Sequence, residues 1–190
     1  MERERRIVGE VLASTSLAVA GEIITGTILI SWREFFRLIP GLLVLVPVAL
    51  DLRGCISSTF AARLGTGIHL GLVGRELGFN DELKQNIFAV FAQASIVGPF
   101  MGILAYALLR ALKMPSASLL ALVFISTVGS VLAACIQTWI TIAIAFLSAE
   151  KGLDPDNVTI PLCTMMGDFV AGGSLVIAAK LWLLMGIAGL

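Results

Sequence analysis

The sequence predicts an all-α membrane protein with five transmembrane helices per protomer. The chain has 190 residues, of which 58% are hydrophobic and only 14% are charged. A soluble domain of this length does not cover so much apolar surface with so few charges, so the class is polytopic membrane protein. The net charge is zero, which gives no indication of nucleic-acid binding. The cysteines, Cys55, Cys135 and Cys163, lie in apolar stretches without metal-ligand spacing and are expected to be free, buried thiols.

A span of about 20 apolar residues serves as the measure for each membrane helix. It predicts one domain over 1–190, with spans at 8–30, 38–62, 83–112, 115–148 and 157–186. The basic residues before the first span also fit a signal peptide, but Ser14, Thr15 and Ser16 interrupt its apolar run and four more spans follow. We therefore take the first segment as a transmembrane helix.

The later spans carry their own start and stop signals. In the second span Pro47, followed by Asp51 and Gly54, predicts a broken helix. Pro115 predicts the start of the fourth span after a tight turn. Asn157 is an N-cap candidate for the fifth span.

Basic residues outside the spans predict the orientation. The side of the N-terminus would carry seven of them, Arg3, Arg5, Arg6, Arg63, Arg75, Lys84 and Lys151. The other side would carry four, Arg33, Arg37, Arg110 and Lys113. The excess predicts a cytoplasmic N-terminus and, with an odd number of spans, a C-terminus outside. The glycine-rich stretch 63–82 contains His69, which is expected to be an interfacial residue because one histidine does not make a metal site.

Asp168 lies in the middle of the last apolar stretch, with no basic residue nearby until Lys180. A carboxylate at membrane depth costs about 2.5–3.5 kcal/mol on insertion scales, and such residues usually mark an ion or substrate route. Helical spacing places it in one stripe on the fifth span, with Asn157, Pro161, Thr164 and Gly172.

A second stripe follows the second span, and Glu22 lies deep in the first span. The stripe consists of Pro47, Asp51, Gly54, Cys55 and Ser58. Small and hydroxyl residues at such positions also serve helix–helix packing, so packing and pore lining both remain open. Asp51 could pair with Arg53 or Arg63 instead of an ion, and Glu22 could pair with Arg53 or Lys180.

The stripes offer carboxylate, amide, hydroxyl and carbonyl oxygens rather than clustered histidine or cysteine. Such ligands favour Mg²⁺, Ca²⁺, Mn²⁺ or Na⁺ over Zn²⁺ or copper. Coordination by one or two carboxylates, with several waters retained on the ion, is what Mg²⁺ prefers. The candidate metal ligands are Asp168, Asp51, Glu22, Thr164 and Asn157. The candidate pore-lining residues are Pro47, Gly54, Cys55, Ser58, Pro161 and Gly172. Mg²⁺ is expected as the transported ion and not as a catalytic cofactor.

Two paired motifs resemble a known family. The segments 47–58 (PVALDLRGCISS) with 62–67 (ARLGTG), and 153–162 (LDPDNVTIPL) with 164–168 (TMMGD), are similar to the transmembrane domain of MgtE-type magnesium channels and of their eukaryotic solute-carrier relatives. The resemblance implies a homodimer with a cation path where the protomers meet, Asp168 as the ion-binding residue, and Pro47, Asp51 and Gly54 along the path. It also implies an entrance at 154–157.

The chain departs from this resemblance in two ways. Cys55 follows Gly54 where the family often has asparagine, which puts an oxygen ligand of the second span in question. The bacterial members carry a large cytoplasmic sensor before the membrane domain, and we expect none here, so a separate regulatory protein would take its place.

These observations predict channel-like uptake of a divalent cation, driven by the membrane potential, in a lipid-embedded homodimer of the plasma membrane. A carrier coupled to Na⁺ or H⁺ is the first alternative. An intramembrane aspartyl protease using Asp51 and Asp168 is a second, although Met165 replaces the first glycine of the Gly-x-Gly-Asp pattern. A noncatalytic membrane scaffold is the third.

Overall fold

The computed structural model describes residues 2–71 and 80–185. Six helices occupy these ranges: α1 (Glu2–Ser31), α2 (Arg33–Leu38), α3 (Leu42–His69), α4 (Asp81–Ala111), α5 (Leu119–Glu150) and α6 (Pro155–Leu184). All except the short α2 are long and apolar enough to cross a membrane. The predicted all-α fold with five spans is therefore confirmed. Gly74, Arg75 and Gly78 of the glycine-rich stretch, and the predicted end of the last span at 186, lie outside the described residues.

The predicted break in the second span was placed at the wrong proline. α3 runs without interruption through Pro47, which lies in its second turn. There the ring removes only the hydrogen bond to the carbonyl of Leu43, in the first turn. The interruption lies earlier, at Pro40 and Gly41, between α2 and α3. Gly41 has φ +92°, a left-handed conformation that glycine adopts without steric cost.

The starts of two other helices differ from the prediction. α5 begins at Leu119 and not at Pro115, since the Ser118 side chain accepts a hydrogen bond from the Ala121 N–H at 3.2 Å. Asn157 is not an N-cap, because α6 already begins at Pro155. Proline suits that first helical position, where its missing N–H would have no partner.

Hydrogen bonds between helix ends show how the helices alternate in direction. At one end, Ser14 of α1 donates to the Asn157 carbonyl of α6 at 2.9 Å. His69, at the end of α3, lies 3.3 Å from Asp154, before α6. At the opposite end the Ala117 N–H donates to the Pro40 carbonyl at 2.7 Å. The chain thus returns to the same end of the bundle after every second long helix.

The helices differ sharply in burial. In the most apolar stretch of α6, 56% of residues are buried, against 11% in that of α1. α6 packs against α5, α3 and α1, whereas α1 packs mainly against α6. α6 is therefore the centre of the protomer, α1 lies at its periphery, and the carboxylate of Asp168 is carried by the most central helix.

Candidate cation site

A groove of about 540 Å³ lies between α3 and α6, and we call it the acidic groove. It is lined by Leu50, Asp51, Gly54, Cys55, Ser58, Thr59, Thr164 and Asp168. The α3 residues Asp51, Gly54, Cys55 and Ser58 follow one another at three- and four-residue spacing, which places them on one helix face. Asp168 and Thr164 are one turn apart on α6. The sequence stripes of two helices thus meet at one groove.

α1 brings a further acid to this site. The carboxyl groups of Glu22 and Asp168 are in hydrogen-bonding contact, and Asp51 is near enough to act electrostatically on Asp168. Ionised carboxylates only accept hydrogen bonds, so two of them in contact need a proton or a cation between them. Three helices therefore each deliver one carboxyl group to the same region. Asp168 is half-buried, while Asp51 is exposed toward the groove.

The basic residues named as rival partners do not pair with these acids. Both terminal nitrogens of Arg53 lack a hydrogen-bond partner among the described residues, so Arg53 holds neither Asp51 nor Glu22. The Lys180 ammonium instead lies 5.8 Å from the centre of the Phe35 ring. Among the described residues, neither Arg53 nor Lys180 therefore neutralises these acids.

Other predicted site residues lie away from the groove. The Asn157 amide donates to Glu10 at 3.1 Å and ties α6 to α1. A Cβ at Gly172 would lie 2.7 Å from the Leu29 side chain, so this glycine allows close packing with α1. Pro47 and Pro161 are not among the residues that line the groove. A ligand or pore role for these four residues stays a prediction.

The sequence reasoning missed Thr59, whereas helical spacing does align Gln137 with Ser126, Ser130 and Thr141 on the fourth span. Thr59 lines the groove one turn after Cys55, so the stripe on α3 extends one residue beyond the predicted Ser58. Gln137 of α5 donates to the Cys163 carbonyl of α6 at 2.8 Å, two residues after Pro161. An amide side chain on an otherwise apolar helix was the sequence signal for a hydrogen bond between α5 and a neighbouring helix.

The groove offers oxygen ligands without forming a closed metal cage. Across residues 2–71 and 80–185, no three histidine, cysteine or acidic side chains are placed to hold one ion between them. Mg²⁺ keeps several of its waters and needs only one or two carboxylates. The open groove therefore fits a hydrated ion in transit rather than a resident structural metal.

Comparison with known proteins agrees with this chemistry. The family model MgtE, described as divalent cation transporter, matches residues 46–178. Solute carrier family 41 member 2 of Homo sapiens is 26% identical over 166 residues, which cover 85% of this chain and 29% of that protein. Solute carrier family 41 member 3 of Rattus norvegicus is 27% identical over 137 residues, covering 71% of this chain and 30% of that protein.

This chain spans less than a third of the length of these relatives. No solved structure matches it. The matched range 46–178 contains both walls of the acidic groove, from Asp51 to Asp168. The family consists of transporters and not of enzymes, which sets aside the aspartyl protease. The chain belongs to the MgtE family of divalent cation transporters.

Proposed function

We propose that the protein carries Mg²⁺ across the membrane through the acidic groove. The observation that supports this most directly is the convergence of Glu22, Asp51 and Asp168, from three different helices, at membrane depth. Buried charges are expensive there, and three like charges side by side are more so. A cation that passes between them offsets that cost.

The ion moves as a largely hydrated species. Hydroxyl groups of Ser58, Thr59 and Thr164 line the groove beside the carboxylates and can hydrogen-bond to the waters of the ion. Retained water keeps the dehydration cost of Mg²⁺ low and lets the ion leave. Paired negative charges attract a divalent ion more strongly than a monovalent one, which supplies the selectivity.

The membrane potential provides the driving force in this proposal. An inside-negative potential contributes about 2.3 kcal/mol per charge per 100 mV, hence about 4.6 kcal/mol for a divalent ion moving inward. The excess of basic residues on the N-terminal side supports a cytoplasmic N-terminus and an external C-terminus, in the plasma membrane. Regulation by a separate protein belongs to the same proposal.

The groove supports a homodimer in which a second protomer completes the path. Asp51 and Cys55 are exposed on the single protomer, so the groove opens at its surface rather than inside the bundle. A lipid-facing carboxylate is costly, and a facing protomer would replace lipid by water and by a second set of acids. Two Asp168 residues would then flank one central path.

A coupled carrier is the second candidate function, and the contact between Glu22 and Asp168 favours it. Carboxyl groups in hydrogen-bonding contact share a proton or a cation. If a proton is shared, entry of Mg²⁺ expels it, and uptake is coupled to a proton gradient. Na⁺ in place of the proton gives the Na⁺-coupled form.

Flux measurements on purified protein in proteoliposomes test the proposal. Mg²⁺ uptake is measured with an inside-negative potential, then with a pH or Na⁺ gradient at zero potential. Asp168→Asn removes one charge with little change of shape, and we expect it to abolish uptake. The matched control is Asp81→Asn on α4, whose exposed carboxylate pairs with Lys84 away from the groove.

Uptake driven by potential alone indicates a channel, and a requirement for either gradient indicates a carrier. An Asp168→Asn variant that transports as well as the Asp81→Asn variant contradicts the proposed site. Absence of flux in the unmodified protein under every gradient would favour a scaffold.

A further inference from the structure

α1 and α6 run parallel to each other, and three contacts between their described residues define the register of the two helices. The contacts are about two helical turns apart on each helix: Ser14 with Asn157, Gly21 with Met165, and Leu29 with Gly172. At the second level a side chain of α6 covers a glycine of α1, and at the third level a side chain of α1 covers a glycine of α6. Because the large side chains alternate between the helices, sliding of α1 along α6 would force them against the facing backbone.

The contact at Gly21 leaves no room for a side chain. A Cβ at this position would overlap the Sδ atom of Met165 and would lie 2.5 Å from its Cγ. The Sδ and Cε atoms turn easily, but Cγ moves only when χ1 changes, and a helix allows few values of χ1. α1 is peripheral and packs mainly against α6, so it is the helix that is displaced when this contact is overfilled.

This contact lies directly beside two of the three acids. Glu22 is the residue after Gly21 on α1, and Asp168 lies about one turn after Met165 on α6. The carboxyl groups of Glu22 and Asp168 are in hydrogen-bonding contact. The packing contact and the contact between the acids therefore join the same parts of the same two helices. The distance at which α1 approaches α6 also determines how close Glu22 comes to Asp168.

We propose that Gly21 and Met165 are positioning residues of the cation site, which hold Glu22 against Asp168. The missing side chain at Gly21 allows α1 to come close, and Met165, packed over the glycine, fixes the level at which it does so. Both act through the acids, since neither is among the residues that line the acidic groove. This inference rests on the proposed function, because it takes Glu22 and Asp168 to act on the transported cation.

The spacing of the two acids matters because they act on the ion together. Two carboxyl groups in contact can share one cation, whereas separated groups attract it singly. Mg²⁺ holds its ligands in near-ideal octahedral geometry, so it depends on the spacing of the oxygens that it or its waters meet. An outward displacement of α1 therefore weakens binding even though Glu22 and Asp168 are both still present.

The first test compares Gly21→Ala with Gly26→Ala in the full chain. Both replacements favour the helix to the same extent, but a Cβ at Gly26 meets nothing within 4 Å. Calorimetry on purified protein gives the Kd for Mg²⁺, and uptake in proteoliposomes gives KM and the maximal rate. For Gly21→Ala we expect Kd and KM to rise at least about fivefold, the size expected when one charge contact in a wet groove is weakened. Gly26→Ala should bind and transport as wild type.

The second test is rescue by Met165→Ala, which removes the side chain that the new methyl group meets. Met165→Ala alone leaves the glycine uncovered and should raise Kd, because the level of α1 is no longer fixed. Combined with Gly21→Ala it restores the space between the helices. The double variant should therefore have a Kd nearer to wild type than either single variant, which is the sign of direct coupling between the two positions.

The third test separates positioning from a general effect on the fold. If Gly21 acts through Glu22, then Gly21→Ala has no further effect on Kd in a protein that already carries Glu22→Gln. A purely structural role of Gly21 predicts instead that the two changes multiply. Thermal unfolding in detergent is measured in parallel for each variant. We expect loss of affinity without a matching loss of stability.

Every outcome either supports or contradicts the positioning role. If Gly21→Ala binds Mg²⁺ as Gly26→Ala does, the methionine has given way and the proposal is refuted. Absence of rescue by Met165→Ala, or an undiminished effect of Gly21→Ala beside Glu22→Gln, refutes it as well. Should Gly21→Ala fail to fold, the effect of Met165→Ala with and without Glu22→Gln decides in the same way.

The failure of this inference can be told apart from the failure of the proposed function. If Asp168→Asn transports normally, the cation site itself is wrong. If Asp168→Asn abolishes uptake while Gly21→Ala and Met165→Ala leave Kd, KM and the maximal rate unchanged, only the positioning role is refuted.

Discussion

Gly54 of α3 faces Thr164 of α6 so closely that a methyl group at residue 54 would lie 3.8 Å from Cγ2 of Thr164. The two helices that form the acidic groove therefore approach each other at a glycine, beside the half-buried carboxyl group of Asp168. Both residues line the groove at this contact, and this makes Gly54 the first target for mutation.

Gly54→Leu should block transport without unfolding the protein. The 3.8 Å spacing accepts a Cβ as an ordinary contact, so Gly54→Ala should transport normally, but a leucine side chain extends into the groove. We expect Mg²⁺ uptake to fall at least about tenfold for Gly54→Leu, since a hydrated ion no longer fits. Gly9→Leu, where a Cβ meets nothing within 4 Å, is the control. Normal flux through Gly54→Leu would show that the ion does not use this groove.

Cys55 should be the thiol at which chemical modification stops transport. Of the three thiols expected to be buried, only Cys163 is; Cys55 is exposed and lines the groove, and Cys135 is exposed elsewhere on α5. A cationic methanethiosulfonate reagent should inhibit uptake more than a neutral reagent of similar size, because it also places positive charge beside the acids. Mg²⁺ should slow the reaction. Cys55→Ser should remove the inhibition and Cys135→Ser should not; inhibition that follows Cys135 would contradict the assignment.

Asp51 and Glu22 should contribute unequally. Asp51→Asn weakens the long-range attraction for the ion by on the order of 1 kcal/mol at the effective dielectric of a wet groove, which raises KM about fivefold. Glu22→Gln removes the group in contact with Asp168 and should change both KM and maximal rate. Uptake kinetics in proteoliposomes distinguish the two, with Glu82→Gln on α4 as control. Equal effects of both variants would mean that contact with Asp168 has no special role.

Gly102→Ala should destabilise the protein without acting on the site. A Cβ there would lie 2.6 Å from Cα of Val123 and 2.5 Å from Oγ of Ser126, so α4 and α5 would have to separate. Overpacking of this kind costs about 1–3 kcal/mol. Thermal unfolding in detergent measures the loss, and Gly26→Ala, which has open space, is the control. An unchanged midpoint for Gly102→Ala would mean that the α4–α5 contact adjusts freely.

Much of this molecule could be predicted from hydropathy and helical spacing. Five apolar stretches form five long helices, because inside a membrane a helix pairs every backbone N–H and C=O group within its own segment. The three- and four-residue spacing placed Asp51 and Asp168 each on a polar stripe of its own helix, and residues of both stripes line the groove. Periodicity within one helix is a local property, and it survives tertiary packing.

What the sequence could not give is which helices meet, and where. The contact of Glu22 with Asp168 depends on how α1 docks on α6, and no spacing rule fixes that. Pro47 looked like the helix break because it precedes an aspartate and a glycine, yet Gly41 has the left-handed backbone that ends regular structure. The burial of Arg53, whose terminal nitrogens have no hydrogen-bond partner among the described residues, could likewise not be predicted, since in sequence it lies two residues from an acid.

The peripheral position of α1 has a consequence for how such a transporter can diversify. Asp51 and Asp168 line the groove on α3 and α6, whereas Glu22, which contacts Asp168, is carried by an outer helix that packs mainly against a single neighbour. A small shift or exchange of that outer helix would change the number of oxygens offered to a passing ion while leaving the interior scaffold intact. Substitutions in α1, at the periphery of the protomer, can therefore change the ion preference while the packing of the other helices stays the same.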